Sequence, residues 1–242
     1  MRFCFLLGRY KRLYIWVKMR RVKLDFPARR LFCERMEFFK GEWRNLIYLN
    51  YEVSPDLLKP YLPKNLELDL FEGKAYVSAV PLILHKNKTF APHLRFQFYV
   101  KRKVGNEWRR GTMFFKTKKI GVKHNIFFEP HGKLSKGTFE YEVPNQFLVR
   151  VRTEGTAQPG LSGYLEQFVA DRFWHYDRRI VTWEFKVDYQ PWSLWEIDEI
   201  KIETSDKNIF PKIFRGLDLS KPVQVNVAKG SPIILKYPRL RL

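Results

Sequence analysis

The stretch from Trp43 to Pro81 constrains the fold more than any other part of this 242-residue chain. In the run from Leu46 to Tyr51 both alternating sets of side chains are largely apolar, which predicts a strand covered on both faces. Ser54-Pro55-Asp56 then supplies a cap, a proline for the first helical position and an acidic first turn. The glycine turn at Gly73 and an apolar run follow. The stretch therefore predicts tightly connected strands with one short inserted helix.

A second hairpin is predicted around Gly105-Asn106. The run from Leu94 to Val104 alternates two sets of side chains, and the Gly-Asn pair that follows is a two-residue turn signal. Trp108 to Lys116 should therefore return antiparallel. Similar signals predict strands over Thr138 to Val143 and Phe147 to Thr153, around Pro144-Asn145.

One longer helix is predicted from Ser162 to Tyr176, because apolar residues recur there at helical spacing behind a possible serine cap. Ser231 to Leu242 has the composition of an apolar and basic tail. Many short strands with a few helices predict an α+β fold with a mainly antiparallel, closed or barrel-like sheet. Such a sheet can enclose a small ligand cavity.

The positive charge is unevenly distributed. The formal net charge is +20, and residues 1–40 hold 12 basic against 3 acidic residues. We therefore expect a basic N-terminal extension over residues 1–40 and a single domain over 41–242. The only cysteines, Cys4 and Cys33, suggest no disulfide framework, which fits a cytoplasmic protein.

The N-terminal extension leaves two alternatives open. Charges interrupt its apolar runs, so we expect neither a transmembrane helix nor a signal peptide. Its mixture of basic and aromatic residues suits contact with an anionic membrane surface or with nucleic acid. The alternative is an extension without a function of its own.

The order of motifs resembles that of the YqjF-like family, proteins of unassigned function within the acetoacetate decarboxylase superfamily. The motif P-x-x-L-x-P-x-L-P is present as Pro55, Leu58, Pro60, Leu62 and Pro63. YVSAVP, His93-Leu94-Arg95, SGYLEQFVADR and Gln190-Pro191-Trp192 resemble later family segments, in the family's order. The resemblance covers about residues 42 to 200. It implies an acetoacetate decarboxylase-like fold, but a shared fold does not carry a shared function.

Lys118 and Lys119 are the candidate catalytic residues, because Lys118-Lys119-Ile120-Gly121 is similar to the superfamily decarboxylase's Lys-Lys-Leu-Gly. The resemblance implies that one lysine, its pKa lowered by the other, forms a Schiff base with a ketone. The decarboxylase's helper carboxylate would fall near Tyr76, where this chain has no carboxylate. Solvated surface lysines are the alternative. Borohydride trapping with a β-keto acid decides between them, since a Schiff base leaves a mass increase at Lys118 or Lys119.

Arg95, Tyr76 and Trp192 are the candidate ligand-binding residues. Arg95 lies on an otherwise aromatic strand, and a buried arginine requires a partner. That partner is either an acidic residue such as Glu166 or Asp171, or the carboxylate of a ligand. Two segments, Trp174-His175-Tyr176 and Trp192-x-x-Trp195, concentrate aromatic and polar groups, which suits a pocket wall and suits a core equally well.

No nucleotide-binding loop and no common catalytic or metal-binding motif occurs in the sequence, so we expect no cofactor and no metal. Three functions remain open. They are the binding of a small carbonyl- or carboxylate-bearing metabolite with lyase-like chemistry, the contact of a basic module with nucleic acid or an anionic membrane, and a structural role as the partner of another protein. The oligomeric state is not determined by the sequence.

Overall fold

The computed structural model describes residues 15–17, 20–22, 37–117, 120–131, 134–159, 164–178 and 182–241. The chain divides into two compact units, residues 1–36 and 37–242. In the first unit, strand β1 (Ile15–Val17) pairs antiparallel with β2 (Arg20–Val22). The expected boundary at residue 41 and the predicted partners of residues 1–40 stay predictions, because most of that segment lies outside the described residues.

The second unit contains thirteen described strands and three short helices. The strands are β3 (Glu37–Val53), β4 (Glu67–Leu68), β5 (Ala75–Lys86), β6 (Thr89–Val104), β7 (Glu107–Phe114), β8 (Lys123–His131), β9 (Leu134–Val143), β10 (Phe147–Pro159), β11 (Trp174–Arg178), β12 (Thr182–Tyr189), β13 (Ser193–Thr204), β14 (Gln224–Lys236) and β15 (Arg239–Arg241). The helices are α1 (Pro55–Leu58), α2 (Leu165–Ala170) and α3 (Lys212–Arg215), with 3₁₀ turns at Lys59–Tyr61 and Lys207–Ile209. The predicted α+β fold with a mainly antiparallel sheet is confirmed.

Seven of these strands form a closed ring. Their order is β12, β11, β7, β6, β5, β3 and β14, and β14 pairs with β12 to close it. The β11 and β7 pair is parallel, and the other pairs of the ring are antiparallel. The ring therefore encloses an interior. Because its strands pair all the way round, no free sheet edge admits water to that interior.

Strand β14 is the branch point of the sheet. One of its edges pairs with β3 from Gln224 to Lys236. On its other edge it pairs first with β13, through Val227 and Ala228, and then with β12, from Ile233 to Leu235. Strands β13, β10, β9 and β8 continue the sheet from this branch. The prediction of a tail from Ser231 is therefore wrong. Its first half belongs to the ring strand β14, and Arg239–Arg241 form β15, which pairs with β12.

Strands β3, β5 and β6 of the ring are buried on both faces over their central parts because each separates two hydrophobic clusters. On β6, Phe96 and Phe98 belong to the cluster that includes the apolar side chains of β9, β10 and α3. Tyr99, on the opposite face, belongs to a second cluster. The residues of β3 from Leu46 to Tyr51 are all buried, which confirms the prediction of a strand covered on both faces.

The predicted hairpins are confirmed. Val104 pairs with Glu107 across Gly105-Asn106, and Gly105 has the positive φ of +60° that such a turn requires at its first position. Val143 pairs with Phe147 around Pro144-Asn145. The helix start at Pro55 is also confirmed, with Pro55 at the first helical position.

The predicted long helix is wrong over most of its described length. Helix α2 covers only Leu165–Ala170, and Trp174 to Tyr176 form β11 instead. The reason is tertiary: β11 hydrogen-bonds with β12 on one side and with β7 on the other, and those pairings outweigh a helical pattern. Among the described residues, no helix has the length and apolar character needed to cross a membrane.

Gly111 permits the pairing that closes the ring on the β7 side. A Cβ atom at this position would lie 2.5 Å from the Trp174 carbonyl oxygen and 2.8 Å from the Tyr176 ring. Gly111→Ala should therefore push β11 away from β7 and lower the free energy of unfolding by about 3 kcal/mol, measured by urea denaturation. Gly216→Ala, where a Cβ would meet nothing within 4 Å, is the control and should change it by less than about 0.5 kcal/mol. Equal effects of the two substitutions would contradict this account.

Candidate functional site

The inside of the ring contains a cavity of about 230 Å³. Each of the seven ring strands contributes at least one side chain to its wall, and α2 contributes Val169 and Ala170. Typical sites for drug-sized ligands measure roughly 300 to 1,000 Å³. The cavity therefore suits a small metabolite.

Aromatic rings make up much of the wall. Trp192 is their centre: its ring centroid lies 5.9 Å from that of Trp43, 5.8 Å from that of Tyr48 and 5.1 Å from that of Tyr189. The indole nitrogen of Trp192 donates to Ser231 Oγ at 3.1 Å, so its polar atom is already satisfied. Trp192 therefore offers the cavity an apolar surface.

Arg95 brings a positive charge to the wall. Its guanidinium carbon lies 4.6 Å from the ring centroids of both Trp43 and Phe114. Burial lowers the pKa of Arg95 to about 10, yet the side chain keeps part of its surface accessible because it borders the cavity. At that pKa it remains charged at neutral pH.

Arg95 has no acidic partner among the described residues. Arg102, seven residues further along the same strand, donates to Glu184 at 2.8 Å. By contrast, no carboxylate of the described residues lies within salt-bridge distance of Arg95. Glu166, one of the two partners considered from the sequence, instead accepts a hydrogen bond from Gln224. Two aromatic faces thus stand where a counter-ion would be expected.

His175 places an imidazole on the same wall. Its ring stacks on Phe114, with centroids 4.0 Å apart, and its Nδ1 atom lies 3.1 Å from the carbonyl oxygen of Thr112. Because a carbonyl only accepts, Nδ1 carries the proton. Burial, and next the positive charge of Arg95, lower the pKa of His175 to about 4. At neutral pH the ring is uncharged, and Nε2 keeps a free lone pair.

The residues that follow α2 are fixed at the cavity by Asp69 and Tyr189. Arg172 forms a close ion pair with Asp69, which also accepts from Arg110 at 2.7 Å. The hydroxyl of Tyr189 accepts from the backbone nitrogen of Arg172 at 2.6 Å and donates to the carbonyl oxygen of Ala170. Nε and Nη2 of Arg172 are buried without a partner among the described residues. This network holds Val169 and Ala170 against the cavity.

The structure brings together two of the five residues proposed from the sequence. Arg95 and Trp192 line the cavity. Tyr76 is buried outside it and packs against Phe71 and Phe168. Lys118 and Lys119 lie outside the described residues, and within the described part of the chain no lysine lines the cavity. The catalytic assignment stays a prediction.

Sequence reasoning missed Gln97 and Arg172 as wall residues, and it left open whether His175 belongs to a pocket wall or to the core. Arg95 and Gln97 share one face of β6, and a polar face on a strand covered on both sides is the signal that would have indicated Gln97. No local signal indicates Arg172.

Comparisons with known proteins found a family model that matches most of the chain and several solved structures with limited similarity. A model of the family DUF2071, described as an uncharacterized conserved protein (COG2071), matches residues 40–232. Acetoacetate decarboxylase from Legionella pneumophila is similar in structure with a TM-score of 0.49 and 14% identity, covering 84% of this chain and 86% of that one. The enduracididine biosynthesis enzyme MppR complexed with pyruvate gives 0.46 and 10%, covering 85% and 91%. An acetoacetate decarboxylase-like enzyme from Sphingomonas wittichii RW1 gives 0.44 and 12%, covering 84% and 92%. A search of curated proteins found no match. At such identities, similarity of structure says nothing about activity.

The low pKa of His175 makes stability depend on pH. An unfolded histidine takes up a proton near its ordinary pKa of 6.5, whereas folded His175 does so only near 4. The unfolded state therefore binds more protons between these values, and the free energy of unfolding should fall by up to about 3 kcal/mol as the pH drops from 6.5 to 4. Urea denaturation across this range measures the slope.

His175→Gln should remove the part of the decrease in the free energy of unfolding between pH 6.5 and 4 that His175 causes. The control is His124→Gln, on β8 outside the ring, which should leave that part of the decrease unchanged. A slope that is the same in wild type and His175→Gln would contradict the neutral imidazole.

Proposed function

The chain belongs to DUF2071, the YqjF-like family of uncharacterized conserved proteins, and from its own cavity we propose that it binds a small carboxylate-bearing metabolite inside the ring of strands. The observation that carries this proposal is the guanidinium of Arg95, which lies at the cavity wall with no carboxylate of the described residues beside it. A ligand carboxylate is the counter-ion that the protein itself does not supply.

The energetics of burying Arg95 favour a carboxylate as the ligand group that binds it. Removing a charged group from water is costly, and contacts with two aromatic faces offset only part of that cost. A carboxylate held by a guanidinium forms short, charge-assisted hydrogen bonds, which are stronger where water is excluded. The free-energy cost of burying the Arg95 guanidinium is met when the protein folds. Binding of a carboxylate does not bear that cost again, so the free energy of the new hydrogen bonds contributes to affinity.

The other residues of the cavity wall determine which chemical group can be attached to the ligand's carboxylate. Trp43, Phe114 and Trp192 present apolar ring faces, and the volume of about 230 Å³ limits the size. A carboxylate attached to a flat or branched apolar group fits these walls better than an extended polar chain. We therefore expect aryl or branched short-chain carboxylic acids among the ligands.

Lyase-like chemistry is a separate part of the proposal. A Schiff base needs a lysine, and only Lys118 and Lys119 have been proposed for that role. Binding through Arg95 does not depend on either of them. Trapping at these lysines would make the protein an enzyme on a carbonyl-bearing acid, and its absence would leave a binding protein.

Arg95→Met tests the binding function. Isothermal titration with phenylpropionate should give a dissociation constant roughly 10- to 100-fold weaker than in wild type, because a charge-assisted hydrogen bond is lost. The free energy of unfolding should stay unchanged or rise, since an unpaired buried charge is replaced by an apolar side chain.

Two controls complete this test. Arg150→Met removes a half-exposed cation that pairs with Glu140 on the β9 and β10 face, and it should leave the affinity unchanged. Phenylpropionamide, which lacks the charge, should bind wild type as weakly as phenylpropionate binds Arg95→Met. If Arg95→Met binds phenylpropionate as tightly as wild type does, the proposed function is wrong.

A further inference from the structure

A chain of hydrogen bonds runs from α2 to the cavity, part-buried at its α2 end and buried near the cavity, and its direction is fixed at the α2 end. Glu166 on α2 carries a carboxylate, which accepts, so the Gln224 amide must present its Nε2 atom to it, at 2.9 Å. The Oε1 atom of Gln224 then accepts from Asn50 Nδ2 at 3.3 Å. This leaves Asn50 Oδ1 as an acceptor, and Ser78 Oγ donates to it at 2.6 Å.

The donors and acceptors nearer the cavity wall, from Ser78 to Gln97, are assigned in the same way. Ser78 has one hydroxyl proton, and it is used on Asn50, so in the 2.5 Å contact between Ser78 Oγ and Tyr99 the phenol is the donor. Burial raises the pKa of Tyr99, so the phenol keeps its proton. Its oxygen then accepts from Gln97 Nε2 at 3.4 Å. The amide of Gln97 is thereby oriented by residues that do not line the cavity.

Gln97 consequently presents its Oε1 atom as an acceptor without a donor. The residue lines the cavity and is 3% exposed, and none of the described residues donates to Oε1. The usual ambiguity between the two ends of an amide does not arise here, because the chain from Glu166 fixes it.

His175 adds a second acceptor to the wall, since its Nδ1 proton is used on Thr112 and Nε2 has no partner in the described part of the chain. The hydroxyls of Tyr48 and Thr112 also line the cavity, but a hydroxyl both donates and accepts and does not discriminate. Arg172 also lines the cavity, but its charge is paired with Asp69 and its Nε and Nη2 atoms are buried. The groups that do discriminate are therefore one cation without an acidic partner among the described residues, Arg95, and two acceptors, Gln97 Oε1 and His175 Nε2.

We propose that the ligand of this cavity is a hydroxycarboxylate, whose carboxylate binds Arg95 and whose hydroxyl donates a hydrogen bond to Gln97 Oε1. This inference rests on the proposed function and narrows its substrate class. A hydroxyl brings the proton that Gln97 Oε1 lacks. The oxygen of an oxo acid has none, so it would face Gln97 Oε1 with a second acceptor and leave both without a partner.

The experiment is an isothermal titration of the full chain with three acids of one carbon skeleton: phenyllactate, phenylpyruvate and phenylpropionate. Phenyllactate should bind about tenfold more tightly than phenylpyruvate, because a buried acceptor left unpaired weakens binding by about that factor. Phenylpropionate, which offers neither group, should bind more weakly than phenyllactate.

Two substitutions separate this role from a merely structural one. Gln97→Met removes the acceptor at similar size, and phenyllactate should lose its advantage over phenylpropionate. Ser78→Ala does not touch the cavity but frees the Tyr99 proton, so that Tyr99 can donate to Gln97 Oε1 and the amide can reverse. In this variant the preference for phenyllactate over phenylpyruvate should fall by several-fold.

The outcomes distinguish the two proposals. Phenylpyruvate binding wild type as tightly as phenyllactate, with both dependent on Arg95, would overturn the hydroxycarboxylate assignment and leave the proposed function standing. A preference for phenyllactate that persists in Gln97→Met would also overturn the assignment. If none of the three acids binds wild type, the proposed function fails together with it.

Discussion

Two backbone pairings, each three residues long, hold the cavity closed. Trp174 to Tyr176 pair with Gly111 to Met113, and Val187 to Tyr189 pair with Ile233 to Leu235. Without either one the seven strands would form an open sheet, and the side chains that now face inward would meet water. Closure removes most of that solvent, so most inward polar groups must find their partners inside the ring.

This requirement explains why several inward polar residues are hydrogen-bonded to one another. Asn50, Ser78 and Gln97 stand on neighbouring strands, are almost fully buried and form one connected chain with Tyr99. A buried network is stable only when each member is satisfied, so a single fixed end dictates the orientation of the rest. Gln97 is the member at the cavity, and there the chain ends on an acceptor that the protein leaves open.

The sequence predicts local features well, because turn and strand chemistry acts over a few residues. The Gly105-Asn106 hairpin and the doubly covered strand at Leu46 to Tyr51 are of this kind. The pattern from Ser162 to Tyr176 fails because β11 gains its hydrogen bonds from β7, about sixty residues earlier in the chain. Among the residues of the site, Arg95 and Trp192 could be proposed from the sequence, because a charged side chain and a large aromatic one stand out in segments expected to be buried. The orientation of Gln97 could not be predicted, since it depends on a chain of contacts that begins at Glu166, 69 residues away.

The net charge of +20 is the most visible electrostatic property of the chain, yet it says little about what the cavity accepts. Exposed charges are screened over about 8 to 10 Å at physiological salt, and Arg150, for example, already faces Glu140. Arg95 is a single charge, but it lies where water is largely excluded and where the described residues supply no counter-ion. Its attraction for an anion therefore depends little on salt. The selectivity of this protein for a ligand should follow the few groups left without a partner, not the many that give the surface its charge.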